Sequence, residues 1–130
     1  MSKKLINPGV GMPATLLLDQ FGYQVNRAFG TIPFLVGSAL FKKDWHDVDI
    51  RLILTDDEYE KSGFGNPRSP HTNAKWVSLC LAYSALGKQM TGLPIDFQIQ
   101  QQTQANREHD KERSALGIEF GLSLQEELNL

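Results

Sequence analysis

The sequence predicts an α/β (α+β) fold, a small mixed sheet flanked by helices. Three observations predict it: two stretches carry apolar residues at helical spacing, three short apolar stretches resemble strands, and the order is helix, strand, strand, helix, strand. A chain of 130 residues with an ordinary share of hydrophobic residues can bury one core. We therefore expect a single domain over 1–130, with its core at about 13–100 and a polar C-terminal extension at 101–130.

Apolar stripes and flanking residues delimit two predicted helices. The first runs from 13 to about 28, between a proline suited to a first turn and Gly30, with a stripe formed by Leu16, Leu17, Phe21, Val25 and Phe29. The second runs from about 73 to 90 and has a wide apolar face. Cys80 lies in this apolar stretch with no His or Lys beside it. We interpret it as a core thiol rather than a nucleophile.

Three buried strands are predicted, at 32–37, 47–54 and 94–99. Residues 38–46 form a turn or a short helix between the first two, and 55–58 leave the sheet, with a helical turn as one option. Residues 62–73 form a loop rich in Gly and Pro, a kind of loop that often borders sites. Beyond Gln100 the chain becomes polar, its Gln run is assigned no function, and a short helix at 123–128 is one option.

Charge and hydropathy narrow the class of protein. The net charge of −2 gives no global basic field of the kind that binds nucleic acid, although a local basic patch stays open. No long apolar run follows Met1, and no stretch approaches the roughly 20 apolar residues of a membrane span. We expect a soluble, cytoplasmic protein that does not engage a membrane.

Three carboxylates in two of the predicted strands are the most informative feature. Because a strand alternates its faces, Asp47 and Asp49 point the same way, while Val48 and Ile50 point the other way. Asp96 has the same setting between Ile95 and Phe97. If the two strands are neighbours, three acidic groups converge, and such a group suits hard divalent cations and phosphates.

An apolar strand that ends in Gly-Ser, followed by a spacer and Asp-x-Asp, appears at Val36-Gly37-Ser38 and Asp47-Val48-Asp49. This pattern resembles the nucleotidyltransferase superfamily that includes DNA polymerase beta. In that family a later strand supplies a third acid, for which Asp96 is the candidate. The resemblance covers roughly residues 13 to 100, and the combined motif is more specific than either half alone.

The resemblance implies a nucleotidyltransferase-like fold and a magnesium-dependent (or manganese-dependent) enzyme. It would transfer a nucleoside monophosphate from an NTP to an unknown acceptor (protein, RNA or small molecule) and release pyrophosphate. The catalytic and metal-binding residues would be Asp47, Asp49 and Asp96. The residues that bind the nucleotide phosphates would be Gly37, Ser38, Lys42 and Lys43.

Two departures from the family pattern keep an alternative open. The spacer of eight residues is short, and Ala39-Leu40-Phe41 stands where many relatives carry an arginine, so that Lys42 and Lys43 are the cations left for phosphate. The alternative is a catalytically inactive nucleotide-binding or protein-interaction module with the same fold. A third option is the enzymatic half of a two-protein system, and a homodimer or a partner protein would complete so small a domain.

One basic residue shares the face of the first two acids. Arg51 lies two residues beyond Asp49 on the same predicted strand. It either pairs with the carboxylates or meets substrate, and the sequence leaves both readings open.

Overall fold

The computed structural model describes residues 10–11, 13–37, 39, 47–108 and 112–118, which form a mixed sheet of four strands flanked by helices. The expected fold class is thereby confirmed. The helices are α1 (Ala14–Phe29), α2 (Asp56–Lys61), α3 (Ala74–Thr91) and α4 (Gln102–Glu108), with a short 3₁₀ turn at Pro70–Thr72. The strands are β1 (Phe34–Val36), β2 (Val48–Leu54), β3 (Ile95–Gln101) and β4 (Ser114–Ala115). None of the described helices is long and apolar enough to cross a bilayer.

Local signals account for the helix boundaries. Gly30 and Gly92 close α1 and α3 in the left-handed conformation, with φ of 79° and 76°. Asn73 begins α3, since its side chain accepts a hydrogen bond from the Trp76 N–H. Thr55 and Glu58 form a capping box at the start of α2. The helical turn that was one option at 55–58 is therefore the structure that forms there.

Two elements lie inside the extension that was expected to be polar, and the sequence did not predict them. In α4 only Ala105 is buried, so its sequence carries little helical periodicity. The two residues of β4 form a strand only because they pair with β1. Of the turn or short helix expected at 38–46, the structure describes only Ala39. The helix expected at 123–128 lies outside the described residues.

The sheet order is β3-β2-β1-β4, with β2 parallel to β3 and β1 antiparallel to both β2 and β4. One face of the sheet carries the core. Phe97 of β3 meets Phe21 of α1 edge to face, with ring centroids 6.2 Å apart, and Ile50 and Leu52 of β2 are fully buried beside them. The opposite face carries Asp49 and Asp96, so the pleat separates the core from the candidate site.

Side chains of α3 cover the outer edge of β3. Trp76 Nε1 donates to the Ile99 carbonyl at 2.8 Å, and the Phe97 N–H donates to Ser84 Oγ at 2.9 Å. Between them Cys80 hydrogen-bonds the Ile99 backbone. These three residues follow one another at intervals of four, so one stripe of the helix satisfies backbone groups that an edge strand would otherwise expose.

The segment after β4 is held against α1. Gly117 N–H donates to Asp19 Oδ1 at 2.6 Å, and Leu116 N–H donates to the Pro33 carbonyl at 3.0 Å. Gly22, in the middle of α1, faces this segment at close range. Gly22 weakens the helix locally, but its missing side chain lets the backbone of Leu116 and Gly117 pass over α1 at this point.

Gly22→Ala should therefore destabilise the protein, although the same change inside an ordinary helix stabilises by about 1 kcal/mol. The added Cβ would lie 2.7 Å from the Leu116 carbonyl carbon and 2.9 Å from Gly117 N, which are backbone atoms that cannot rotate away. We expect a net loss of about 1–3 kcal/mol in the free energy of unfolding, measured by urea titration. Gln24→Ala, at an exposed position of the same helix, is the control and should change stability by under about 0.5 kcal/mol. A rise in stability for Gly22→Ala would contradict the close approach.

Candidate functional site: an acidic pair clasped by an arginine

Two of the three expected acids are direct neighbours. Asp49 of β2 and Asp96 of β3 are Cα partners in the parallel ladder, so their side chains leave the same face of the sheet side by side. Their side chains are 27% and 41% exposed. The condition on which the acids were expected to meet, that the two strands be neighbours, is confirmed.

Asp47 is exposed and lies just before β2, whose pairing with β3 begins at Val48 opposite Ile95. Among the residues that the structure describes, no three His, Cys, Asp or Glu side chains are grouped so that they could hold a metal ion. The described acidic site is therefore the pair Asp49 and Asp96.

Arg51 lies between the two carboxylates. Its Nη2 is 3.4 Å from Asp96 Oδ2 and 3.9 Å from Asp49 Oδ1, and its side chain is only 9% exposed. Of the two readings left open by the sequence, pairing with the acids is the one that the structure adopts. A cation between two adjacent carboxylates offsets their mutual repulsion, which explains how both are accommodated on one face.

The carboxylates are not the best hydrogen-bond partners of Arg51. Its Nη1 donates to the main-chain carbonyl of Asp96 at 2.8 Å and to that of Ile50 at 3.1 Å. Both distances are shorter than those to the carboxylates, so the guanidinium is anchored chiefly by the backbone. Both carboxylates are partly exposed to water.

Gly37 closes the site from β1. Its φ is 81°, and a Cβ at this position would lie 2.6 Å from Asp49 Oδ2. Glycine is needed here for the left-handed backbone and for the contact with Asp49. The predicted phosphate-binding residues Ser38, Lys42 and Lys43 lie outside the described residues.

Cys80 is confirmed as a core thiol. It is 6% exposed, and burial raises its pKa to about 11. The thiol is therefore protonated at neutral pH and is a poor nucleophile. Trp76 of the same helix is 9% exposed and packs in the core.

The acidic face continues into a polar stripe that was assigned no function. Gln98 and Gln100 follow Asp96 at intervals of two, so all three leave β3 on the same face. Gln100 is 8% exposed, and its amide donates to Glu108 of α4. The alternation of polar residues with Ile95, Phe97 and Ile99 was visible in the sequence, but the partner from α4 was not.

The donor set of the pair suits a hard cation. Carboxylate oxygens are the ligands that Mg²⁺ and Mn²⁺ prefer, and two carboxylates with waters are a usual magnesium environment. Asp47 is the other acid of the Asp-x-Asp motif. Arg51 already contacts Asp49 and Asp96 and would compete with a metal ion for them. The residues present therefore fit Mg²⁺, on condition that Arg51 yields its contacts with the carboxylates.

Comparison with known proteins adds no relative. No protein-family model, no curated protein and no solved structure matches this chain. Function is therefore inferred from the geometry of the acidic face and from the motif that it contains.

Proposed function

We propose that the protein is a metal-dependent nucleotidyltransferase of the cytoplasm, which moves a nucleoside monophosphate from an NTP to an acceptor and releases pyrophosphate. The observation that carries the proposal is the parallel register of β2 and β3, which sets Asp49 beside Asp96. Gly37 packs against Asp49 from the end of β1. The glycine of the Gly-Ser motif, the second acid of Asp-x-Asp and the third acid thus come together at one end of the sheet.

In the proposed reaction, the hydroxyl of the acceptor attacks the α-phosphorus of the NTP. A new P–O bond forms, the bond to the bridging oxygen between the α- and β-phosphates breaks, and pyrophosphate leaves. Asp49 and Asp96 would hold Mg²⁺ or Mn²⁺, with Asp47 as the third oxygen donor of the motif once the ion is bound, and the ion would supply charge neutralisation on the triphosphate and acidify the attacking hydroxyl. Asp96, the more exposed carboxylate of the pair, would accept the hydroxyl proton.

The remaining chain groups bind and orient. Ser38, Lys42 and Lys43 are the proposed donors to the phosphate oxygens, beside Gly37 of the same motif. Arg51 would keep its carbonyl bonds to Ile50 and Asp96 while its looser contacts with the carboxylates are exchanged. Such partly solvated ion contacts are worth under about 1 kcal/mol each, so the exchange costs little.

The proposal is tested with NTPs labelled at the α-phosphate, Mg²⁺ or Mn²⁺, and three classes of acceptor: proteins, RNA and small hydroxyl compounds. Transfer of label to one of them, with release of an equal amount of pyrophosphate and dependence on the cation, is the expected result. Calorimetry in the absence of acceptor measures binding of nucleotide and metal. If neither binds, alone or together, the proposal is wrong.

The position of Arg51 supports a second candidate, an inactive nucleotide-binding or interaction module with the same fold. An arginine that already neutralises Asp49 and Asp96 can replace the metal of an active relative. This module would bind nucleotide equally well with and without divalent cation and would not turn it over. Pyrophosphate release with any acceptor excludes this second candidate.

A further inference from the structure

A small cavity lies at the carboxyl end of β3, at the opposite end of the strand from the acidic pair. Gln100 at this end is four residues beyond Asp96, a distance of roughly 13 Å along the strand. The cavity holds about 90 Å³, and its walls come from β3, α4 and the Gly- and Pro-rich loop, with Tyr59 and Trp76 behind them. In open α/β sheets the carboxyl ends of parallel strands are the usual place for a ligand, and β2 and β3 are such a pair. The cavity is therefore placed as a ligand site of its own.

Two opposite charges face this cavity without meeting. Arg68 of the loop and Glu108 of α4 are the only charged residues in its lining. Among the described residues neither side chain has an ion-pair partner, and nothing there accepts a hydrogen bond from the Arg68 guanidinium. A ligand that carries both charges would bridge the gap between them.

Neighbouring amides orient the polar walls. Gln100 Nε2 donates to Glu108 Oε1 at 2.8 Å, which holds the carboxylate and leaves its second oxygen as an acceptor. The oxygen of Gln104 accepts from Arg107 Nη1 at 3.1 Å, so its amide nitrogen is the group left to donate. The lining thus offers an acceptor at Glu108 and N–H donors at Arg68 and Gln104.

We propose that this cavity binds a free α-amino acid, with its carboxylate on Arg68 and its ammonium group on Glu108. A guanidinium matches a carboxylate with two parallel hydrogen bonds. A ligand with negative charge alone would meet repulsion from Glu108, and one with positive charge alone would meet repulsion from Arg68, so the pair of charges selects a zwitterion.

The size of the cavity agrees with this ligand. A cavity of about 150 Å³ holds a benzene molecule, so the smaller space here suits the two charged groups and the carbon between them. The side chain of the amino acid would lie in a wider groove of about 550 Å³, which shares Tyr59, Pro67 and Gln101 with the cavity. This site goes beyond the proposed function and does not depend on it.

Free amino acids and their blocked forms test the site in the absence of nucleotide and metal. Binding of the L-amino acids is measured by NMR titration at millimolar concentration. The one that binds most tightly is then compared with its N-acetyl derivative, which lacks the ammonium group, and with its amide, which lacks the carboxylate. We expect each blocked form to bind more weakly by about ten-fold or more, because each leaves one charged partner unsatisfied. If no free amino acid binds, or if either blocked form binds as well as the free one, the proposal is wrong.

Two variants assign the two ends of the ligand. Arg68→Met should weaken binding of the free amino acid by about ten-fold and leave binding of the amide unchanged, because the amide has no carboxylate to lose. Glu108→Gln should weaken the free amino acid by a similar factor and leave the N-acetyl form unchanged. Arg27→Met and Glu112→Gln, at exposed positions outside the cavity, are the matched controls and should bind as the unaltered protein does. If the two cavity variants weaken all three forms alike, or none of them, the assigned contacts do not exist.

Discussion

Asp49→Asn and Asp96→Asn should each lower the rate of nucleotidyl transfer by about a hundred- to a thousand-fold. Each change keeps the size of the side chain and removes the negative charge that would hold the cation. Because the two residues are Cα partners on neighbouring strands, they would act on one centre. The double variant should therefore lose scarcely more activity than the single variants, since groups that act as a unit are not additive. The rate is measured as release of pyrophosphate together with transfer of label.

Asp57→Asn provides the matched control. Asp57 is an exposed acid of α2 whose contact is a 3.1 Å ion pair with Lys61 on the surface, so its loss should leave the rate unchanged. Asp47→Asn tests the remaining acid of the motif and should lower the rate less than Asp49→Asn does, because Asp47 is exposed and lies outside the paired strands. If Asp49→Asn and Asp96→Asn retain full activity, these carboxylates are not the catalytic centre.

Arg51→Met should lower the free energy of unfolding by about 2–3 kcal/mol in the absence of divalent cations. The change removes the cation between Asp49 and Asp96 and two hydrogen bonds to backbone carbonyls. Breaking a buried ion pair costs about 3–5 kcal/mol, and the estimate here is lower because both carboxylates are partly exposed to water. Denaturant titration with a chelator present measures the loss.

Addition of Mg²⁺ or Mn²⁺ should restore much of this stability, because the ion would replace the positive charge that Arg51 places between Asp49 and Asp96. A ligand at one hundred times its dissociation constant stabilises the native state by about 2.7 kcal/mol, which is comparable to the loss. Lys61→Met, which removes an exposed partner of Asp57, should cost under about 0.5 kcal/mol and should not respond to the cation. If Arg51→Met loses stability and the cation does not restore it, the site does not hold a metal and the inactive module is favoured.

Local patterns were enough to predict the two long helices and three of the strands. Apolar residues at helical spacing and the glycines at 30 and 92 delimit α1 and α3 to within one residue, since both signals act within a few residues. For α4 and β4 no such signal exists. The first is a short polar helix, and the second is defined by its pairing with Phe34 and Leu35, about 80 residues earlier in the chain.

The contacts between α3 and the edge of β3 also combine a feature predicted from the sequence with one that depends on the fold. Trp76, Cys80 and Ser84 lie on one stripe of α3, and the sequence predicted Cys80 as a core residue. Their hydrogen bonds to Phe97 and Ile99 depend on α3 lying along that edge of the sheet. No spacing within the helix contains this information.

Strand alternation is enough to assign each acid of the site to one face of its strand. A strand alternates with a period of two, so Asp49 and Arg51 must share a face whatever the rest of the chain does. The folded chain is needed to set Asp96 beside them, to place Arg51 between both carboxylates, and to bring Gln100 to Glu108. These contacts are remote along the chain: Arg51 and Asp96 are 45 residues apart, and they meet because burial of a shared core aligns β2 with β3 in one register.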